Sequence, residues 1–242
     1  MNRWERRVER AQVLEREYPA AAELLRFYRE IARFQQWVSE QRAEPGAAAF
    51  LPDCAAREMP FVEDLLALLE EVAPRDLAQT AALLRTMGEW NPADPAVGFI
   101  GRVLSQAFAE RMARTTAAGE DVLTSRCPVC GELPVAAVLR PEGEGGKRSL
   151  VCSLCFREWG FRRLLCANCG EEDQRRLPVF HAEPYPHVQI EACDACHSYL
   201  KRIDMTRNGL AVPEVDEIAS LPLDLWAAEH QYTKLKTNLF GL

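Results

Sequence analysis

Eight of the nine cysteines in this 242-residue chain fall between positions 127 and 196, in four C-x-x-C pairs. Cys127-Pro-Val-Cys130 and Cys152-Ser-Leu-Cys155 are separated by 21 residues, and Cys166-Ala-Asn-Cys169 and Cys193-Asp-Ala-Cys196 by 23. A C-x-x-C turn lets two thiolates reach one ion, and two such knuckles facing each other make a tetrahedral four-sulfur site. Gly131 and Gly170 follow the second cysteine of their knuckles, where a positive φ closes the turn. In a reducing compartment such pairs read as metal ligands before they read as structural disulfides. The similar gaps and the repeated C-x-x-C-G start predict a duplicated module, the first pair closing with the second and the third with the fourth, in preference to a cross-braced arrangement. Cys127, Cys130, Cys152, Cys155, Cys166, Cys169, Cys193 and Cys196 are thereby expected to hold two tetrahedral metal ions. Sulfur donors suit iron and zinc alike, so spacing leaves the metal open.

Two closed four-sulfur sites offer no coordination position to substrate or water, which favours a scaffold over a catalyst. No catalytic residue is assigned. A thioredoxin-like role for one pair is weaker, because no C-x-x-C begins a long helix in a βαβ pattern. His181, His187, His197 and His230 could ligate metal, but eight sulfurs already complete two sites, and loop histidines are the simpler reading. Cys54, with no partner cysteine nearby, is read as an idle thiol.

The elements that must position these sulfurs are small. Each module spans about 30 to 45 residues, too few to hold itself by a hydrophobic core, so bound metal must contribute folding energy. Short apolar pieces such as PVAAVL and SLVC, broken by the turn-rich PEGEGGK, predict strands around the knuckles. Upstream the pattern is helical. Leu24, Phe27, Tyr28, Ile31, Phe34 and Val38 recur at three- and four-residue steps, Pro60 and Asp94-Pro95 open further helices, and another is expected from Arg75 to Met87. Phe27, Tyr28, Phe34 and Trp37 are expected in a helix-bundle core. Helical spacing returns from Glu214 to Tyr232, interrupted at Pro222. The fold class is therefore α+β. A helical domain (1–125) precedes two rubredoxin-like or zinc-ribbon modules (126–163 and 164–212) and a C-terminal helical segment (213–242).

Composition narrows the function. A net charge of −7, 48% hydrophobic and 27% charged residues describe an ordinary globular protein. No apolar run approaches the roughly 18 residues of a membrane span. The N-terminus lacks the apolar core of a secretory signal, which predicts a cytoplasmic chain. Paired ribbons often contact nucleic acid, but residues 126–205 carry 11 basic and 11 acidic side chains, without the basic excess such binding needs. No nucleic-acid partner is expected. The ten residues between the second and third knuckles hold Arg157, Trp159, Phe161, Arg162 and Arg163. These could anchor a protein partner, or Trp159 could pack the modules together while the arginines cover the thiolates.

The region from Arg126 onward resembles the formate dehydrogenase accessory protein family, FdhE. The resemblance rests on CPVCG-x-x-PV (Cys127 to Val135), on C-x-L-C-x-x-E-W-x-x-x-R-x-x-C-x-N-C (Cys152 to Cys169), on E-x-C-x-x-C-x-x-Y-L-K (Glu191 to Lys201) and on D-x-x-A-S-L (Asp216 to Leu221). His197 stands where the family often has Gly. The resemblance implies a cytoplasmic, non-enzymatic maturation factor with rubredoxin-like modules, which binds the catalytic subunit of respiratory formate dehydrogenase before export. It also implies that iron is an alternative to zinc. Competing readings from other classes are a zinc-ribbon nucleic-acid-binding regulator and a rubredoxin-like redox protein.

Overall fold

The computed structural model describes residues 2–40, 95–116, 124–143 and 145–242. Cys54 and the helices expected after Pro60 and from Arg75 lie outside the described residues, as do the side chains of Trp37 and Val38. Among the described residues, three long helices precede the cysteine region: α1 (Arg3–Glu17), α2 (Ala22–Glu40) and α3 (Pro95–Thr115). Asn2 starts α1 through a capping box, its side chain accepting from the Glu5 backbone while the Glu5 carboxylate accepts from Asn2. Tyr28 and Phe34 are buried in the core as expected, whereas Phe27 is half-buried, stacked on Phe99 and tilted against Phe240. Among the described residues no helix is long and apolar enough to cross a membrane.

The cysteine region builds one seven-stranded sheet. Its strands are β1 (Pro134–Glu142), β2 (Gly145–Cys152), β3 (Glu158–Gly160), β4 (Val179–His181), β5 (Val188–Ala192), β6 (Ser198–Asp204) and the short β7 (Thr233–Lys234). The order is β3-β2-β1-β6-β5-β4, with β7 beside the start of β6. Each half is an antiparallel triplet, and the two lie head to tail, joined where β1 runs parallel to β6 from Ala136–Lys201 to Leu139–Asp204. The duplication read from the cysteine gaps is thus a tandem repeat sharing one continuous sheet.

Alternation along the strands separates two faces. One face, including Val138, Val151, Ile190, Tyr199 and Ile203, packs with the N-terminal helices and with α4 (Pro213–Ala219) into the larger apolar core. The other, including Ala137, Leu150 and Leu200, packs with the first cysteine cluster, Trp159 and Phe161. A further short helix, α5 (Leu221–Glu229), starts at the Ser220 break, so Pro222 falls in its first turn and is tolerated there.

All seven residues of α4 are buried, three of them acidic. Each carboxylate meets a cation from another element. Arg7 of α1 donates to Glu214 (2.6 Å) and to Glu110 of α3 (2.7 Å). Arg10 donates to Asp216, whose Oδ1 also lies 2.7 Å from His187 Nε2. Glu217 pairs with Lys201 of β6 (2.9 Å) and with Lys234 of β7, and accepts from Asn238. Arg7 and Lys201 are fully buried, which such partners alone permit. The buried stripe of α1 therefore runs Trp4, Arg7, Ala11, Leu14, with an arginine where an apolar residue would ordinarily stand. A buried charge network bonds the two halves of the sheet to each other: Glu191 accepts from Arg148 (2.6 Å) of the first and Arg202 (2.9 Å) of the second.

Burial alone would raise the pKa of Glu217, but the ammonium groups of Lys201 and Lys234 outweigh it and hold this carboxyl down at about 2. Glu214 and Asp216 are lowered against the same burial by Arg7 and by His187 with Arg10. A depressed folded-state value contributes stability above the unfolded value, near 4.5 for Glu, and loses it as pH falls toward the folded one. Glu217→Gln should cost about 1.5–3 kcal/mol at neutral pH, because Lys201 and Lys234 lose one buried carboxylate and keep Asp224. Urea midpoints of the two proteins from pH 7 to 3.5 check this: the gap should be constant above pH 5 and narrow below it. Both proteins carry the same thiols, so their difference isolates the carboxylate.

Candidate metal centres

Each C-x-x-C sequence folds as the same knuckle. The backbone N–H of its first cysteine donates to the carbonyl five residues on: Cys127 to Glu132, Cys152 to Arg157, Cys166 to Glu171 and Cys193 to Ser198, at 2.8 to 3.0 Å. The residue after the second cysteine takes a positive φ every time. Gly131 (75°) and Gly170 (78°) do so freely, as their sequence positions predict. Phe156 (52°) and His197 (54°) adopt the same left-handed turn without being glycine, so the fourth knuckle keeps its geometry with histidine in place.

The knuckles pair consecutively. The Sγ atoms of Cys127, Cys130, Cys152 and Cys155 lie within 4.8 Å of one another, as do those of Cys166, Cys169, Cys193 and Cys196. Closest separations are 3.3 to 3.6 Å in the first cluster and 3.7 Å in the second. A tetrahedral ion with metal–sulfur bonds of about 2.3 Å requires sulfur–sulfur edges of about 3.8 Å, so both clusters fit such an ion. The four sulfurs of the first cluster compete for protons. Hydrogen bonding among them lowers Cys127 below the ordinary thiol range and raises Cys152 and Cys155 above it. A dication removes that competition by taking all four as thiolates. In the second cluster burial pushes Cys193 up to about 12. Burial opposes ionisation of Cys196 too, but hydrogen bonds led by that of Ser198 bring it down to about 6.

The clusters are set in different surroundings. Cys127, Cys152 and Cys155 are buried and pack with Leu150, Trp159, Phe161 and with Ala109 and Ala113 of α3. The helices grip the second knuckle directly: Gln106 donates to the Ser153 carbonyl (3.0 Å), Arg3 to the Phe156 carbonyl (3.2 Å), and the Arg7 guanidinium lies over the Phe156 ring. In the second cluster only Cys193 is buried; Cys169 is exposed, and Cys166 and Cys196 are half-buried.

None of the four histidines joins a cluster. His187 is buried against Asp216 and His230 stacks on Trp226, while His181 lies at the surface on edge strand β4. The bridge residues divide. Trp159 and Phe161 are inside the core, Trp159 donating to the Thr124 carbonyl, which is the packing role. Arg157 donates to the carbonyls of Ala113 and Thr116 at the end of α3. Arg162 is exposed in a pair with Glu172, and Arg163 is exposed without a partner among the described residues. Sequence reading missed the ion pairs of Arg7, Arg10 and Lys201. The one available signal was charge on the apolar face of α1, with Trp4, Arg7, Ala11 and Leu14 at three- and four-residue steps.

Family models described as "FdhE, central domain" and "FdhE, C-terminal domain" match residues 126–163 and 164–240. A "Protein FdhE homolog" of Aquifex aeolicus is 40% identical over 116 residues, covering 48% of this chain and 41% of the relative. That of Stutzerimonas stutzeri is 31% identical, covering 72% and 59%, and that of Haemophilus ducreyi 30% identical, covering 85% and 68%. The chain thus spans about two fifths to two thirds of the length of these relatives. The crystal structure of the FdhE protein from Pseudomonas aeruginosa superposes with a TM-score of 0.78 at 25% identity, covering 98% of this chain and 95% of that one. With the two domain models matched in order and the Haemophilus ducreyi relative covered over two thirds of its length at 30% identity, this chain belongs to the FdhE family.

Proposed function

We propose that the chain is a formate dehydrogenase accessory protein, acting in the cytoplasm on the catalytic subunit of the respiratory enzyme before export. It does so by binding and without catalysing a reaction itself. The observation that carries this reading is the closure of eight cysteines into two four-sulfur clusters in a chain of the FdhE family. Zinc or iron held there supplies folding free energy, typically about 10–16 kcal/mol for structural zinc, and presents no open position for substrate. What the chain's own residues do is hold a shaped surface. Trp159 and Phe161 fix the bridge from within, and Arg162, paired with Glu172 at the surface, and Arg163, at the cavity beside the second cluster, are the exposed part of the expected anchor. Differential affinity for an immature client is sufficient for an assembly role.

Elemental analysis of protein purified without oxygen should find about two equivalents of metal per chain, with thiolate-to-iron absorption bands if the metal is iron and none if it is zinc. Removal of that metal by a chelator should lower the melting temperature by well over 10 °C, since a loss of several kcal/mol moves the midpoint by a few degrees for each one. For the client, immobilised chain should retain the catalytic subunit from formate-respiring cells. The double substitution Cys127→Ser with Cys130→Ser should abolish retention, and Arg162→Glu with Arg163→Glu should weaken it about tenfold or more with the melting temperature unchanged. Failure of the unsubstituted chain to retain any dehydrogenase subunit would refute the client assignment.

A further inference from the structure

We propose that the two centres divide structure from exchange: the one at Cys127, Cys130, Cys152 and Cys155 keeps its ion, and the one at Cys166, Cys169, Cys193 and Cys196 releases and takes up a thiophilic divalent cation while the rest of the fold stands. This rests on the reading above that both clusters bind metal.

Exchange at a four-thiolate site begins when an incoming chelator displaces one sulfur, so the rate follows access to the sulfurs and the ion. In the first centre three of the four sulfurs are buried among Trp159, Phe161 and α3, and the second knuckle is tied to α1 and α3 by Arg3 and Gln106. Opening it disrupts a core. In the second centre Cys169 faces solvent on an exposed knuckle, and Cys166 and Cys193 line the wall of a cavity of about 240 Å3 over the open part of the sheet face. A chelator therefore has two approaches there, from outside and through the cavity.

The hydrogen bonds to sulfur differ in kind. Those at the first centre come from the backbone N–H groups of Val129 and Leu154. At the second centre, side chains contribute as well: Ser198 Oγ lies 3.0 Å from Cys196 Sγ and 3.9 Å from Cys166 Sγ, and Asn168 Nδ2 lies 3.6 Å from Cys196 Sγ. Donors to a ligand sulfur stabilise it as thiolate and orient it toward the ion. Ser198 and Asn168 are thus positioning residues that set how readily the exposed centre lets go, a task that burial performs at the first.

The test uses the whole chain loaded with two equivalents of zinc under anaerobic conditions and challenged with 4-(2-pyridylazo)resorcinol, whose colour reports zinc release. N-ethylmaleimide labelling at intervals, with peptide mass mapping, identifies the freed thiols. One equivalent should leave at least about tenfold faster than the other, with label on Cys166, Cys169, Cys193 and Cys196 while Cys127, Cys130, Cys152 and Cys155 stay protected. Ser198→Ala and, independently, the surface change Asn168→Ala should speed that fast phase about tenfold, in line with the loss of one outer partner of a ligand, and leave the slow phase unaltered. Ser198→Thr, which keeps the hydroxyl, should restore the original rate. Parallel loss of both equivalents, or first labelling at the Cys127 cluster, would overturn the division. A chain that takes up no zinc or iron would instead overturn the metal reading beneath it.

Discussion

Three carboxylates on a seven-residue buried helix, each answered by a cation from a different part of the chain, hold this molecule in one arrangement. Glu214 draws in α1 and, through Arg7, Glu110 of α3; Asp216 takes Arg10 and His187; Glu217 takes Lys201 from the sheet and Lys234 from β7. Ion pairs removed from water are poor sources of net stability, because desolvation consumes most of their attraction, but breaking one leaves a costly orphan. Their value lies in what they disfavour: a docking of the helices on the sheet that parts any of these pairs leaves a buried charge without its partner. The family resemblance at D-x-x-A-S-L and Y-L-K acquires a physical meaning here, since Asp216, Ser220 and Lys201 are partners in this hub, Ser220 bonding the last carbonyls of α4.

The four-sulfur clusters act on a smaller scale. Each knuckle repeats one backbone hydrogen bond and one left-handed residue, and two knuckles bring four sulfurs to the edges of a tetrahedron. What differs between them is the wall behind the sulfurs. The first cluster shares a core with α3 and the bridge tryptophan, whereas the second sits at the surface beside a cavity. Duplication has therefore produced two chemically equal donor sets in unequal environments, and environment rather than ligand identity distinguishes how such sites behave.

The two sulfur clusters, the consecutive pairing, the α+β class and the helical spacing of α2 were legible because each is local: two cysteines three apart, four cysteines within 31 residues, apolar side chains at three- and four-residue steps. The glycine turns were legible for the same reason, but the matching turns at Phe156 and His197 were not, as neither residue type signals a positive φ. The ion-pair hub was almost wholly hidden. Arg7 stands on the apolar stripe of α1, but Arg7 and Glu214 are 207 positions apart and nothing at either position names its partner. The parallel junction of β1 with β6 was equally hidden, because strand periodicity specifies which face a residue occupies and not which neighbour it meets. Trp159 was readable as core or as contact, and only its position under the first cluster decides for core.

That junction also orders events in time. While the polypeptide is being made, β1 stands as the unpaired edge of the first triplet until residues 198–204 have followed, with an apolar stretch, Pro134 to Leu139, lying along it. An exposed, hydrophobic strand edge is the kind of surface that recruits other strands. The basic residues Arg7 and Arg10 wait longer still, for acids 206 and 207 positions downstream. The first triplet has its own four sulfurs to close around before residues 198–204 are made, whereas the ion pairs of α1 with α4 need a segment about 200 residues further along the chain.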